Sequence, residues 1–203
     1  AEGPTIQRAH DRALKNDVSL KKIFQLVSEF RKSDKETPIV LMGYLNTFIS
    51  HIDLVQSNQE DGIDSILVVD IPGELNLHDY GIDNPNINTI SLISPTTKDN
   101  RIELIAKNST GFIYYVNLRG VTGSSNLNLD EIKNNIGKIK KHSNLPVMAG
   151  FGIKTADDAK ILAESSEGIV IGSSIVEMIN EESNSKEFDR ISIYLKEMKA
   201  AIS

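Results

Sequence analysis

Two short apolar runs late in the chain each close in a glycine turn, and their residue types suit the binding of an anion. The first is Pro146-Val147-Met148-Ala149-Gly150-Phe151-Gly152 and the second Gly168-Ile169-Val170-Ile171-Gly172-Ser173-Ser174. Glycine leaves backbone N–H groups open to an approaching ligand. The second turn runs into Ile175-Val176-Glu177-Met178, a short helical start whose free N–H groups favour negative charge. A further glycine pair stands one unit upstream, in Gly120-Val121-Thr122-Gly123. Paired glycine turns on the last strands of a repeating β/α chain are where barrel enzymes commonly hold a phosphate. We read them as a phosphate cradle.

Other reactive residue types carry two readings each. Asp70 ends a buried strand before Ile71-Pro72, where it either caps the turn or stands near a ligand or partner. Arg119 and Thr122 lie on a loop over the ligand edge, which is either solvated or closes on substrate. His10, His51, His78 and His142 fall at no metal-ligand spacing, so no metal site is expected. The run Lys138-Ile139-Lys140-Lys141 reads as the exposed face of a helix.

The elements that must position these turns follow from apolar periodicity. Thr37–Tyr44, Ser65–Asp70, Thr89–Pro95 and Gly111–Asn117 read as buried strands, continuous rather than alternating. With the two glycine-ended runs they make six strands, centred near residues 40, 68, 92, 114, 148 and 170. Helices are expected over Ile6–Lys15, from Ser19 as an N-cap through Phe30, over Phe48–Gln59 and over Lys98–Lys107. Leu129, Ile132, Ile136 and Ile139 mark another, Lys154–Ser166 the next, and Phe188, Ile191, Leu195 and Met198 the stripe of a closing helix. Between Glu74 and Asn88, Gly81 and Pro85 leave room for a turn or two around Leu77–Tyr80. Such alternation means a parallel α/β fold, open or barrel. No linker or second domain interrupts it, so residues 1–203 form one partial barrel domain.

An eight-unit barrel typically takes ~250 residues. Six units preceded by Ala1–Gln7, which reads as the middle of a loop, suggest a (β/α)8 barrel lacking its first two strands, and hence a fragment of a longer product. Opening a closed sheet in this way would expose two strand edges.

Lys+Arg 22 against Asp+Glu 28 gives a net charge of −6, with no basic run and 5% aromatics, which argues against nucleic acid as a partner. The chain has no cysteine, so disulfides and thiolate metal sites are excluded. No apolar run approaches the ~20 residues of a membrane span. The start, Ala1-Glu2-Gly3-Pro4, is neither basic nor apolar, so the expected location is the cytoplasm.

The glycine turns, taken with Glu2-Gly3-Pro4-Thr5-Ile6-Gln7, Thr37–Tyr44, Val69-Asp70-Ile71-Pro72, Ser94-Pro95-Thr96-Thr97 and Gly120–Gly123, resemble the tryptophan synthase alpha subunit, a TIM (β/α)8 barrel. The likeness is collinear over essentially the whole chain. It implies a lyase of tryptophan biosynthesis that cleaves indole-3-glycerol phosphate by a retro-aldol reaction, giving indole and glyceraldehyde 3-phosphate. It also implies a PLP-dependent beta subunit that receives the indole, and no cofactor on this chain. By the same resemblance Gly123, Gly152, Gly172 and Ser173 bind the substrate phosphate. Tyr44, Tyr114 and Phe151 line the indole pocket, with Met42, Val69 and Ile93 as apolar neighbours. Glu2 takes the place of an acidic residue, usually Asp, that bonds the indole N–H and joins the acid/base chemistry.

Protonating the indole ring carbon and deprotonating the side-chain hydroxyl calls for two carboxylates with separated pKa values. The family's other catalytic glutamate would lie upstream of Ala1, so this chain is expected to be inactive alone. Two other readings stay open: a different phosphate-binding barrel isomerase, and a non-catalytic partner of a beta subunit.

Overall fold

The computed structural model describes residues 3–58, 62–116, 129–183 and 188–203. In chain order its elements are α1 (Gly3–Lys15), α2 (Leu20–Phe30), β1 (Val40–Gly43), α3 (Leu45–Ile49), α4 (Ile52–Gln56) and β2 (Ser65–Val68). A 3₁₀ turn at Leu77–Tyr80 precedes β3 (Asn88–Ile93), α5 (Asp99–Asn108), β4 (Ile113–Val116) and α6 (Leu129–His142). β5 (Val147–Gly150), α7 (Ala156–Ala163), β6 (Gly168–Ile169), α8 (Ser173–Glu182) and α9 (Asp189–Ala201) complete it.

All pairings are parallel and the strand order is β1-β2-β3-β4-β5-β6, so β1 and β6 are the two edges. The result is a half-barrel with its helices outside. β2 is buried at every residue, as a strand covered on both faces should be. Its helix-facing residues Ile66 and Val68 join Leu20, Val27, Phe48 and Val55 in one core cluster. A second cluster packs Ile93, Ile113, Tyr115, Val147 and Ala149 against Ile102, Ile105, Ile132, Ile136 and Ile139 of α5 and α6. The helical spacing of Ile102 with Ile105 and of Ile132, Ile136 and Ile139 predicts these inward faces, and those are the residues buried.

The Ser19 hydroxyl accepts the Lys22 N–H at 3.4 Å, capping α2 as its sequence predicts. Three expectations need correction. Gly3 and Pro4 open α1 rather than lying in a loop: Gly3 adopts φ +83°, and proline lacks only an N–H that the first turn leaves unpaired anyway. The single helix expected over Phe48–Gln59 is two short ones, broken at His51, whose φ −131° and ψ 36° are not helical. In α9 the buried stripe is Ile191, Tyr194 and Met198, while Phe188 and Leu195 are 49% and 44% exposed. Tyr194 supplies the i+3 contact there, which turns Leu195 outward.

The edge of the sheet where the strands begin is held by one buried cation. Arg31, 5% exposed, donates to the carbonyls of Gly62 at 3.0 Å, Thr37 at 2.7 Å and Asp34 at 3.3 Å, and to Asp64 Oδ2 at 2.7 Å. The same Asp64 oxygen accepts the Ile39 N–H at 2.7 Å, tying α2 to the entries of β1 and β2. Arg31→Met strands four partly buried or exposed acceptors at once and should cost about 1–3 kcal/mol in urea unfolding. Lys32→Ala, which removes an ion pair that is 70% exposed on both sides, should leave the midpoint nearly unchanged.

Nearby, the Thr37 N–H and then its hydroxyl hold the Asp34 carboxylate below its ordinary pKa. A depressed folded pKa adds stability above the unfolded value that is lost as pH falls through it. Asp34→Asn should therefore flatten the decline in melting temperature below about pH 4.

Candidate functional site

Parallel pairing puts every strand's C-terminal end on one edge, and the glycine turns gather there. Gly152 follows β5 with φ +67°, a conformation that strains any other residue. Gly172 is the N-cap of α8, with φ −111°, and a Cβ built on it would meet nothing within 4 Å. The space in front of that turn is open. The Ile175 and Val176 N–H groups both return to the Gly172 carbonyl at 3.1 Å. The amides ahead of them, on Ser173 and Ser174, are those that α8 presents at its positive end. Ser173 is exposed, and the Ser174 hydroxyl donates to the Ile153 carbonyl at 2.9 Å, fastening one glycine turn to the other.

Side-chain alternation sorts the remaining candidates onto two faces. Leu92, Tyr114, Met148 and Gly168 are register partners in a row across β3 to β6. None belongs to the helix-facing clusters, so this row faces the barrel interior. Met42, Leu67 and Ile90 form a second interior row. Tyr114 lies directly over Gly150, where a Cβ would stand 2.4 Å from its hydroxyl and 2.5 Å from Cε2. Burial pushes the Tyr114 phenol above its ordinary pKa, so it is a neutral hydroxyl at the floor of the slot. Met42 and Tyr44, on and just after the edge strand, are 53% and 37% exposed, and Val69 is half-buried beside them, its N–H on the Gly43 carbonyl at 3.0 Å.

The structure brings together Gly152, Gly172 and Ser173 on one side and Tyr114 on the adjacent strands. Ile93 it turns away: its register partners are Tyr115 and, beyond, Ala149 and Ile169, all in the sheet–helix core. Leu92 takes the interior position on β3. Phe151 is 5% exposed and packs on Tyr115, ring centroids 5.1 Å apart at 57°, within the same core. Glu2, Gly123, Arg119 and Thr122 lie outside the described residues. The exposed Asp70 accepts the Leu45 N–H on Oδ1 at 2.7 Å, fixing the start of α3 to the end of β2.

Sequence reasoning missed Gly150 as the seat of Tyr114. The signal available was a glycine two residues before the turn glycine, on the alternation of Met148. Among the described residues no cluster of three or more His, Asp or Glu could hold a metal, and no helix is long and apolar enough to cross a membrane.

Six parallel strands in sequence order with helices outside define the class of the fold, a TIM-type β/α half-barrel. Comparison with known proteins narrows the class. The family described as tryptophan synthase alpha chain matches residues 1–203. The tryptophan synthase alpha chain of Nitrosomonas europaea is 44% identical over 183 residues, covering 88% of this chain and 66% of that protein. That of Cupriavidus pinatubonensis is 39% identical over 210 residues, covering 100% and 77%. Among solved structures, the alpha subunit of Legionella pneumophila superposes with a TM-score of 0.86 at 36% identity, covering 99% of this chain and 76% of that one. The Pyrococcus furiosus tryptophan synthase a2b2 complex gives 0.86 at 32% identity, covering 98% and 82%. The chain thus spans about two-thirds to four-fifths of these relatives. It belongs to the tryptophan synthase alpha chain family, lyases that act on indole-3-glycerol phosphate in tryptophan biosynthesis.

Gly150→Ala should lower stability by about 1–3 kcal/mol, because the Tyr114 ring must leave its rotamer. Pairing it with Tyr114→Leu should recover part of that loss in a double-mutant cycle read by urea unfolding.

Proposed function

We propose that this chain performs the alpha-type half-reaction, retro-aldol cleavage of indole-3-glycerol phosphate to indole and glyceraldehyde 3-phosphate. The observation that carries the reading is the pair of glycine turns joined by Ser174 beside the Tyr114 slot. Phosphate binds the amides of Gly152, Gly172 and Ser173, with Gly123 completing the cradle. The indole ring lies along Tyr114 and Leu92, with Met42, Tyr44 and Val69 towards the edge strand and Phe151 backing the turn. Anchoring both ends of the substrate supplies the near-attack geometry worth several kcal/mol as effective molarity.

Glu2 is the carboxylate this chain offers for proton transfer, and the chemistry needs a second one with a separated pKa. Such a chain works with a beta subunit in an alpha2beta2-type complex in the cytoplasm, and the reaction itself uses no cofactor. Both the family and the Pyrococcus furiosus a2b2 complex support that partner.

Titration with glycerol 3-phosphate, followed by heteronuclear NMR, tests the cradle: Gly152, Gly172 and Ser173 amides should shift. Gly172→Ala has room for its methyl group, so it should fold normally yet bind the ligand at least several-fold more weakly. With that second carboxylate supplied, Glu2→Gln should lower indole release by about 10²–10⁴-fold while leaving glycerol phosphate affinity unchanged. Undisturbed Gly172 and Ser173 amides at saturating ligand would overturn the assignment.

A further inference from the structure

The hydroxyl of Ser174 joins two loops that no backbone hydrogen bond of either strand joins directly at that point. It sits at the second residue of α8 and donates to Ile153 C=O, one residue after Gly152, at 2.9 Å. Ile153 itself is buried at 2% exposure, so its carbonyl has a fixed direction.

The two elements that Ser174 connects are also held from below. Asp158, 3% exposed, closes a capping box on α7: its Oδ2 accepts the N–H groups of Lys154 at 3.2 Å and Thr155 at 3.0 Å, and its own N–H donates to Thr155 Oγ1 at 3.2 Å. The chain leaving Gly152 is thereby locked at Lys154 and Thr155. From α9, which packs on both α7 and α8, Tyr194 backs this corner at 8% exposure, and its buried hydroxyl makes no hydrogen bond to another described residue. Burial raises its phenol above the ordinary pKa.

We propose that Ser174 is a positioning residue for the anion cradle, setting the gap between the Gly152 turn and the first amides of α8. The proposal rests on reading those turns as the phosphate site. The side chain need not touch the ligand. Its effect is geometric: without the tie, two sets of amides no longer converge on one anion, and a site of this kind loses affinity when its donors shift by fractions of an ångström.

The test uses the full chain and two probes, glycerol 3-phosphate for the cradle and indole for the slot, with dissociation constants from NMR titration. Ser174→Ala keeps a good helix former at the start of α8 and should weaken glycerol 3-phosphate about threefold to tenfold, the scale of one lost hydrogen bond. Indole affinity should stay within about twofold of wild type. Ser174→Thr, which keeps the hydroxyl, should restore most of the phosphate affinity. Equal glycerol phosphate affinity in wild type and Ser174→Ala overturns the positioning role while leaving the cradle standing. Equal loss of both probes also overturns it, because the residue would then only hold the fold. If the wild-type chain shows no shift of the Gly172 and Ser173 amides with glycerol 3-phosphate, the cradle itself fails, and the positioning role with it.

Discussion

Everything at the functional edge depends on the parallel register of six neighbouring strands. Because every strand runs the same way, every strand-to-helix turn opens on one edge and every helix-to-strand turn on the other. The two edges do different work. Where the strands begin, Arg31 satisfies three carbonyls and a carboxylate with one guanidinium, a use that needs a planar, permanently charged donor fork rather than an ammonium. Where the strands end, backbone amides and glycine dominate, and a side chain enters mainly to hold one turn against the next. Stability and binding are thus separated across about one strand length, so the binding edge carries bare amides and a left-handed glycine without loosening the sheet.

Much of this was legible in the residues. The six strands, the Ser19 cap, the inward stripes of α5 and α6 and the glycine turns all carry local signals: an apolar run, a hydroxyl before a periodic segment, a glycine at a strand end. What was not legible is which face a residue takes in a strand covered on both sides. Ser91-Leu92-Ile93 has no polar alternation to mark the interior, so Ile93 could be assigned to the pocket when the register gives that place to Leu92. The same blindness affects the closing helix, where a tyrosine at position 194 takes the buried place that a leucine at 195 suggests. Long-range ties such as Ser174 to Ile153 leave no trace in spacing at all, since the two residues are brought together only by the crossover of α7.

The net charge of −6 sits uneasily with an anionic ligand until distances are considered. At physiological ionic strength exposed charges are screened over about 8 Å. In the proposed function the cradle acts at hydrogen-bond distance through fixed amides and the positive end of α8, a helix of ten residues whose dipole is fully formed. There, local preorganised donors would outweigh a diffuse, solvated acidity, which would slow encounter more than weaken the bound state.

The anchor and the slot meet on β5, and that strand shows why the arrangement tolerates so little change. Val147 and Ala149 face the helices and are fully buried, while Met148 and Gly150 face the interior. Gly150 makes room for the Tyr114 ring, Phe151 returns to the helix side against Tyr115, and Gly152 turns the chain towards α7. A slip of one residue would put Ala149 under Tyr114, force Gly150 into a core that needs a side chain, and move the left-handed turn off its glycine. Six consecutive residues thus fix, in one register, the core behind the sheet, the wall of the slot and the first half of the cradle. The second half on α8 has no such covalent link to the slot. It is tied to the first half by the Ser174 bond to Ile153 and by the pairing of β6 with β5, so in our proposal a single hydroxyl at position 174 matters to a ligand it does not touch.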